Sequence, residues 1–190
     1  MKKLMRLFIA IQFPDEIKDS LYGLTQELKK NITRGRFTRR ENFHLTLAFI
    51  GETKDLEHAV QAVDNAVSKG KIPPFRLHFG GFGRFKGRNG DIFWVRVEPN
   101  PVLSELNKIL VRELKYFEFY VDEKEFKPHL TLGREIVLKK EYAAEDFEKI
   151  IPSMSMQVKG IGIMKSERPE GKLVYTEVYH KELMENTEYR

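Results

Sequence analysis

The 190-residue chain contains no cysteine. That excludes disulfides, thiolate metal centres and a cysteine nucleophile. It also fits a reducing compartment, so the cytoplasm is the expected location. No run approaches the roughly 18 apolar residues that a spanning helix needs, and no membrane association is expected. The opening Leu7-Phe8-Ile9-Ala10-Ile11 is short, is preceded by Arg6 and is followed by Gln12-Phe13-Pro14. It therefore reads as a buried first strand and not as a signal peptide. Nucleotide-loop signatures are missing too. Gly80, Gly81 and Gly83 match neither a P-loop nor a dinucleotide fingerprint, and a strand bend or bulge is expected there. The five histidines form no His-x-His or His-Glu-x-x-His, so no metal and no cofactor are expected.

With 41 % hydrophobic and 32 % charged residues, the composition is that of a folded globular chain. Residues 1–190 are expected to form a single body, monomeric, with no flexible linker. The net charge of +5 favours anionic partners such as nucleotides or RNA.

Three stretches carry helical period: Ile17, Leu21, Leu24 and Leu28; Leu56, Val60, Val63 and Val67; and Leu103, Leu106, Leu110, Leu114 and Phe117. Asp15 and Glu16 suit the first turn of the first helix. Thr53 is the expected cap of the second, and Asn100-Pro101 that of the third. A short fourth helix is expected near Glu141 to Ile150. Strand-like runs lie at Leu7–Phe13, Phe43–Phe49, Phe75–Phe79, Ile92–Val97, His129–Gly133, Met156–Met164 and Val174–Tyr179. Asn89-Gly90 marks a hairpin. The alternation predicts an α+β fold with largely antiparallel sheets.

One repeat stands out. Phe43-His44-Leu45-Thr46-Leu47 recurs as Pro128-His129-Leu130-Thr131-Leu132, 85 residues later. On a strand, alternate side chains share a face, so His44 joins Thr46 and His129 joins Thr131, with the leucines turned to the core. Two related lobes facing each other would bring two imidazoles and two hydroxyls to one point. Such a group suits phosphodiester hydrolysis. One histidine takes a proton from water, the other gives one to the leaving oxygen, and the hydroxyls hold the non-bridging oxygens. A lone His-x-Thr is more often structural. Two identical tetrads, each followed by a small residue (Ala48, Gly133), are hard to attribute to chance.

The pair of tetrads resembles the two-histidine (2H) phosphoesterases. The pieces around them resemble its RNA 2′,3′-cyclic phosphodiesterase branch, formerly called 2′-5′ RNA ligase. Those pieces are Arg6 to Ile11, Glu41-Asn42, Phe49-Ile50-Gly51, Pro74-Phe75, Gly80 to Phe85, Phe93-Trp94-Val95 and Phe126-Lys127-Pro128 through Gly133-Arg134. The resemblance implies a bilobal, duplicated, LigT-like fold, with two sheets facing a central cleft and helices outside. It implies hydrolysis of a terminal 2′,3′-cyclic phosphate of RNA or a nucleotide to a 2′-phosphomonoester. His44 would be the general acid, His129 the general base, and Thr46, Thr131 and Arg134 the phosphate contacts. The stretch Gly35 to Asn42 departs from the Trp and Pro-Glu-Asn of many relatives. Two other readings stay open: a non-catalytic RNA- or nucleotide-binding module on the same fold, and 2′-5′ ligation. Arg34, Arg36, Arg39 and Arg40 around Phe37 read either as an RNA-holding patch or as a solvated loop.

Overall fold

The computed structural model describes residues 3–121 and 125–184. Nine strands form two antiparallel sheets. The first has the order β3-β1-β8-β9, built from β1 (Met5–Gln12), β3 (His44–Thr53), β8 (Gly160–Glu167) and β9 (Val174–Glu182). The second has the order β2-β6-β5-β4-β7, from β2 (Ile32–Phe37), β4 (Phe75–Phe85), β5 (Asp91–Val97), β6 (His129–Leu138) and β7 (Met154–Val158). Helices α2 (Leu56–Gly70) and α3 (Pro101–Tyr116) pack on each other and on the first sheet. Helices α1 (Asp15–Lys30) and α4 (Ala144–Lys149) pack on the second.

The expected α+β class is the one observed, but the lobes are not consecutive halves of the chain. The first sheet takes strands from both ends, and α1 crosses to the sheet that carries His129. Residues 156–164, expected as one strand, are two. The chain leaves the second sheet at Val158 and enters the first at Gly160. Strand β2, read as a basic loop or patch, had no apolar alternation to reveal it, because its backbone pairs with β6 at the sheet edge while its side chains stay mostly in solvent.

Helix signals held with two changes. Asn100 caps α3, its side chain accepting from the Leu103 N–H at 2.9 Å. Helix α2 is capped by Asp55, whose carboxylate accepts from the His58 N–H at 3.2 Å. Thr53 instead accepts from the Asp55 N–H, two residues too early to cap. The buried face of α2 keeps Val63 and Val67 of the expected stripe and is completed by Ala59, Ala62 and Ala66, small residues that let α2 lie close to α3, while Leu56 and Val60 are only partly buried. None of the described helices is long and apolar enough to cross a membrane.

One apolar core joins both sheets, including Leu7, Ile9, Leu45 and Leu47 from the first and Phe79, Val95, Leu130 and Leu132 from the second. Strand β1 is apolar on both faces, as a central strand must be. Phe8 and Ala10 point away from the main core and form a second cluster with Met164, against which Tyr175 packs. The expected hairpin joins β4 to β5, with Gly90 at φ 116°, a conformation that favours glycine. The glycines of β4 also bend the strand, as expected: the β4–β5 register slips between Phe79 and Phe82.

Candidate active site

The two tetrads are built alike down to the hydrogen bond. Each begins its strand, with the histidine and threonine half-buried and the leucines buried. His44 Nδ1 lies 2.7 Å from the Asn42 carbonyl oxygen. His129 Nδ1 lies 2.6 Å from the Lys127 carbonyl oxygen, again two residues back. A carbonyl only accepts, so Nδ1 carries the proton in both rings and Nε2 is the basic nitrogen of each neutral imidazole. The Thr46 hydroxyl is 2.9 Å from His44 Nε2 and can donate to it.

Each strand then breaks its alternation at the same place. Across β1, Ala10 pairs with Thr46 and Ile9 with Ala48, which leaves Leu47 as an extra residue. Across β5, Trp94 pairs with Thr131 and Phe93 with Gly133, which leaves Leu132 extra. These bulges are 85 residues apart, like the histidines. A bulge shifts the following residues to the opposite face. It therefore returns Arg134 to the face of His129 and Thr131, although Arg134 stands an odd number of residues from both. Simple alternation could not place it. In β3 the same shift brings Phe49, 65 % exposed, onto the face of Phe8, its ring 6.2 Å away.

Both bulges are held from outside. The Asn107 amide of α3, almost fully buried, donates to the Leu47 carbonyl at 2.8 Å. The Thr38 N–H donates to the Leu132 carbonyl at 2.8 Å, and the Thr38 hydroxyl to the Thr131 carbonyl at 2.7 Å.

Aromatic rings wall both imidazoles. Phe8 and Tyr175 lie 4.9 and 5.1 Å from the His44 ring. Phe85 and Trp94 lie 5.1 and 5.8 Å from that of His129. The Trp94 ring covers Gly83 so closely that a Cβ there would lie 2.1 Å from it. Burial holds both imidazole pKa values below the usual 6.5, opposed by the Nδ1 hydrogen bonds. The Arg134 guanidinium lowers His129 further. Its charge also acts on the Tyr175 phenol, whose pKa burial raises. Strands β3 and β6, from different sheets, lie against each other.

The basic stretch around Phe37 is tied up locally. Arg36 pairs with Glu135 at 2.7 Å, Arg39 with Glu41 at 3.1 Å, Arg40 with Asp15 and Asp19, and Arg34 donates to the Asn89 carbonyl. Lys29 sits 5.3 Å from the centre of the half-buried Phe37 ring. This favours solvated surface over an RNA-holding patch. His58, His78 and His180 are exposed; His58 pairs with Asp55 and stacks on Phe117. Sequence reasoning missed Asn42, Thr38, Asn107 and Tyr175 as parts of the site. Thr38, Asn107 and Tyr175 act through contacts distant in sequence, and Asn42 through its backbone carbonyl, so no side-chain pattern announces them.

Comparison with known proteins agrees with this architecture. E. coli LigT, solved in complex with 3′-AMP, superposes with a TM-score of 0.76 over 96 % of this chain and 100 % of its own, at 24 % identity. A Thermotoga maritima protein named RNA 2′,3′-cyclic phosphodiesterase is 33 % identical over 148 residues, 77 % of this chain and 76 % of the relative. One of the same name from Archaeoglobus fulgidus is 31 % identical over 131 residues, 68 % and 72 % of the two chains. The family model of the 2′-5′ RNA ligase superfamily matches residues 13–170, and with the duplicated histidine strands in their matching bulges this chain belongs to that superfamily.

Proposed function

We propose that this chain hydrolyses a terminal 2′,3′-cyclic phosphate on RNA or a nucleotide to a 2′-phosphomonoester, without a metal. The observation that carries the reading is the matched pair of imidazoles, each oriented by the carbonyl two residues back so that Nε2 is its basic nitrogen, with a threonine two residues on along the strand. The names of the relatives supply the substrate class.

Water attacks phosphorus opposite the 3′ oxygen. His129 Nε2 takes the proton of the water as its oxygen bonds to phosphorus. The P–O3′ bond breaks, and His44 Nε2–H protonates O3′. The 2′ oxygen keeps the phosphate, and the two histidines end with their protonation states exchanged. The charge of Arg134 supports this division of labour, since it favours the neutral, basic form of His129. Thr46, Thr131 and Arg134 hold the non-bridging oxygens. Residues 1–190 act as one bilobal unit, whose shared core supports that reading.

The test is turnover of a cyclic-phosphate oligonucleotide in EDTA, with products identified by chromatography and mass spectrometry. A 2′-phosphate product is expected. His44→Ala and His129→Ala should each lose at least about 10²–10⁴-fold in rate. Full activity in both variants, or binding without product, overturns the proposal.

A further inference from the structure

Most arginines among the described residues are tied to a carboxylate, a carbonyl or a hydroxyl of the protein. Four have no such partner: Arg6, Arg88, Arg134 and Arg168. Three of these four act on a single side chain, Tyr175, whose ring packs on His44. The sheet register explains the convergence. Arg6 pairs with Ser166 across β1–β8, and Ser166 with Tyr175 across β8–β9, so the three share one row and one face. Arg168 follows the last rung of that ladder, Glu167 to Val174, and so flanks the same row. Glu167, its neighbour, is taken by Lys165 at 2.7 Å and lies 4.0 Å from Lys3. Glu177, the carboxylate nearest on β9, is taken by Gln12 and His180. Glu52 stands opposite Arg6 on β3 without forming an ion pair.

The loop that carries Arg168 is fastened to the site itself. The buried Asn42 amide donates to the Leu173 carbonyl at 3.0 Å, while the Asn42 carbonyl accepts from His44. Beside this loop lies an open depression of about 400 Å³ lined by Glu167, Arg168 and Pro169. Arg134 stands on β6, the strand of His129, while Arg6 and Arg168 stand by the row of Tyr175. Arg6 and Arg168 thus stand beside Tyr175, on the flank of the sheet next to His44.

We propose that Arg6 and Arg168 form a second anion subsite, taking a phosphate on O5′ of the nucleoside that carries the cyclic phosphate. The proposal rests on the function given above and narrows its substrate. An RNA end supplies that phosphate as its last internucleotide linkage, and a 5′-phosphorylated cyclic nucleotide supplies it alone. A bare nucleoside 2′,3′-cyclic phosphate lacks it. Guanidinium groups suit the task because their donors match phosphate oxygens in pairs.

The experiment compares kcat/KM for three substrates: adenosine 2′,3′-cyclic phosphate, its 5′-phosphorylated form, and the dinucleotide ApA ending in the cyclic phosphate. The two with a phosphate on O5′ should be preferred about five- to tenfold, mainly through KM. In R168A and R6A that ratio should fall toward one, R168K should keep part of it, and thermal melting checks that each variant is folded. For ApA, each lost contact should also make the fall of kcat/KM with rising salt shallower. Equal rates for all three substrates overturn the subsite. So does a preference that survives both substitutions, or one seen for ApA but not for the 5′-phosphorylated mononucleotide. Failure to turn over any of the three strikes the proposed function instead.

Discussion

Replacing Asn107 with alanine removes the donor that holds the Leu47 carbonyl at the β3 bulge. Asn107 is 9 % exposed, and its amide reaches that carbonyl at 2.8 Å, so the freed oxygen has little access to water. Leaving a buried acceptor without a partner costs about 1–3 kcal/mol. For a chain of this size that is a fall of about 2–12 °C in melting temperature. Asn107→Asp should cost more at neutral pH, because a buried carboxylate faces a carbonyl and two acceptors repel. Its pKa in the folded state would be raised, so the penalty grows as pH rises and shrinks as the acid protonates and regains a donor. Denaturant unfolding at pH 5 and pH 8 checks both, read as a shift in midpoint at constant slope. Turnover should fall along with stability, because Leu47 lies between Thr46 and Phe49, and its bulge sets where both point. An Asn107→Ala variant as stable and as active as the parent would refute the idea that this amide holds the bulge.

Three further outcomes are expected. Both site imidazoles have folded pKa values below 6.5, so the unfolded chain takes up protons first as pH falls. Their contribution to stability is intact above that value and is lost below it, and unfolding from pH 7.5 to 5.5 should show a shallower loss in His44→Gln and His129→Gln. The same depression should put the maximum of kcat/KM on the acid side of pH 6.5 in a bell-shaped profile. Gly83→Ala should drive a methyl into the Trp94 ring, destabilise by about 1–3 kcal/mol and lower turnover by displacing the wall beside His129, as calorimetry and rate assays would register.

The sequence made some of this legible because some of the physics is local. Helical stripes, the Asn100-Pro101 cap and the Asn89-Gly90 turn depend on neighbours a few residues away, and they stand where expected. The tetrads were legible because they occur twice. The face of Arg134 was not, since it depends on a bulge paired against β5. The cap of α2 went to Asp55 over Thr53 by two residues, a choice decided by where β3 ends. Strand β2 was hidden because an edge strand with exposed side chains carries no apolar alternation. The split of residues 156–164 between sheets was hidden because both pieces look alike in composition. Asn42, Thr38 and Asn107 act on carbonyls that only the folded chain brings to them.

The passage of the chain from the second sheet to the first at Lys159 bears on how the protein is made. Strand β1 is synthesised well before β8, the strand it pairs with from far along the chain. Until β8 follows, the apolar edge of β1 is unpaired, an invitation to aggregation. Neither lobe can be cut out as a working piece, and a chain halted after β7 would hold both histidines without the strands that support the first of them. Because so many pairings link distant segments, folding should be slow, with hydrolytic competence acquired only when the β8–β9 hairpin docks.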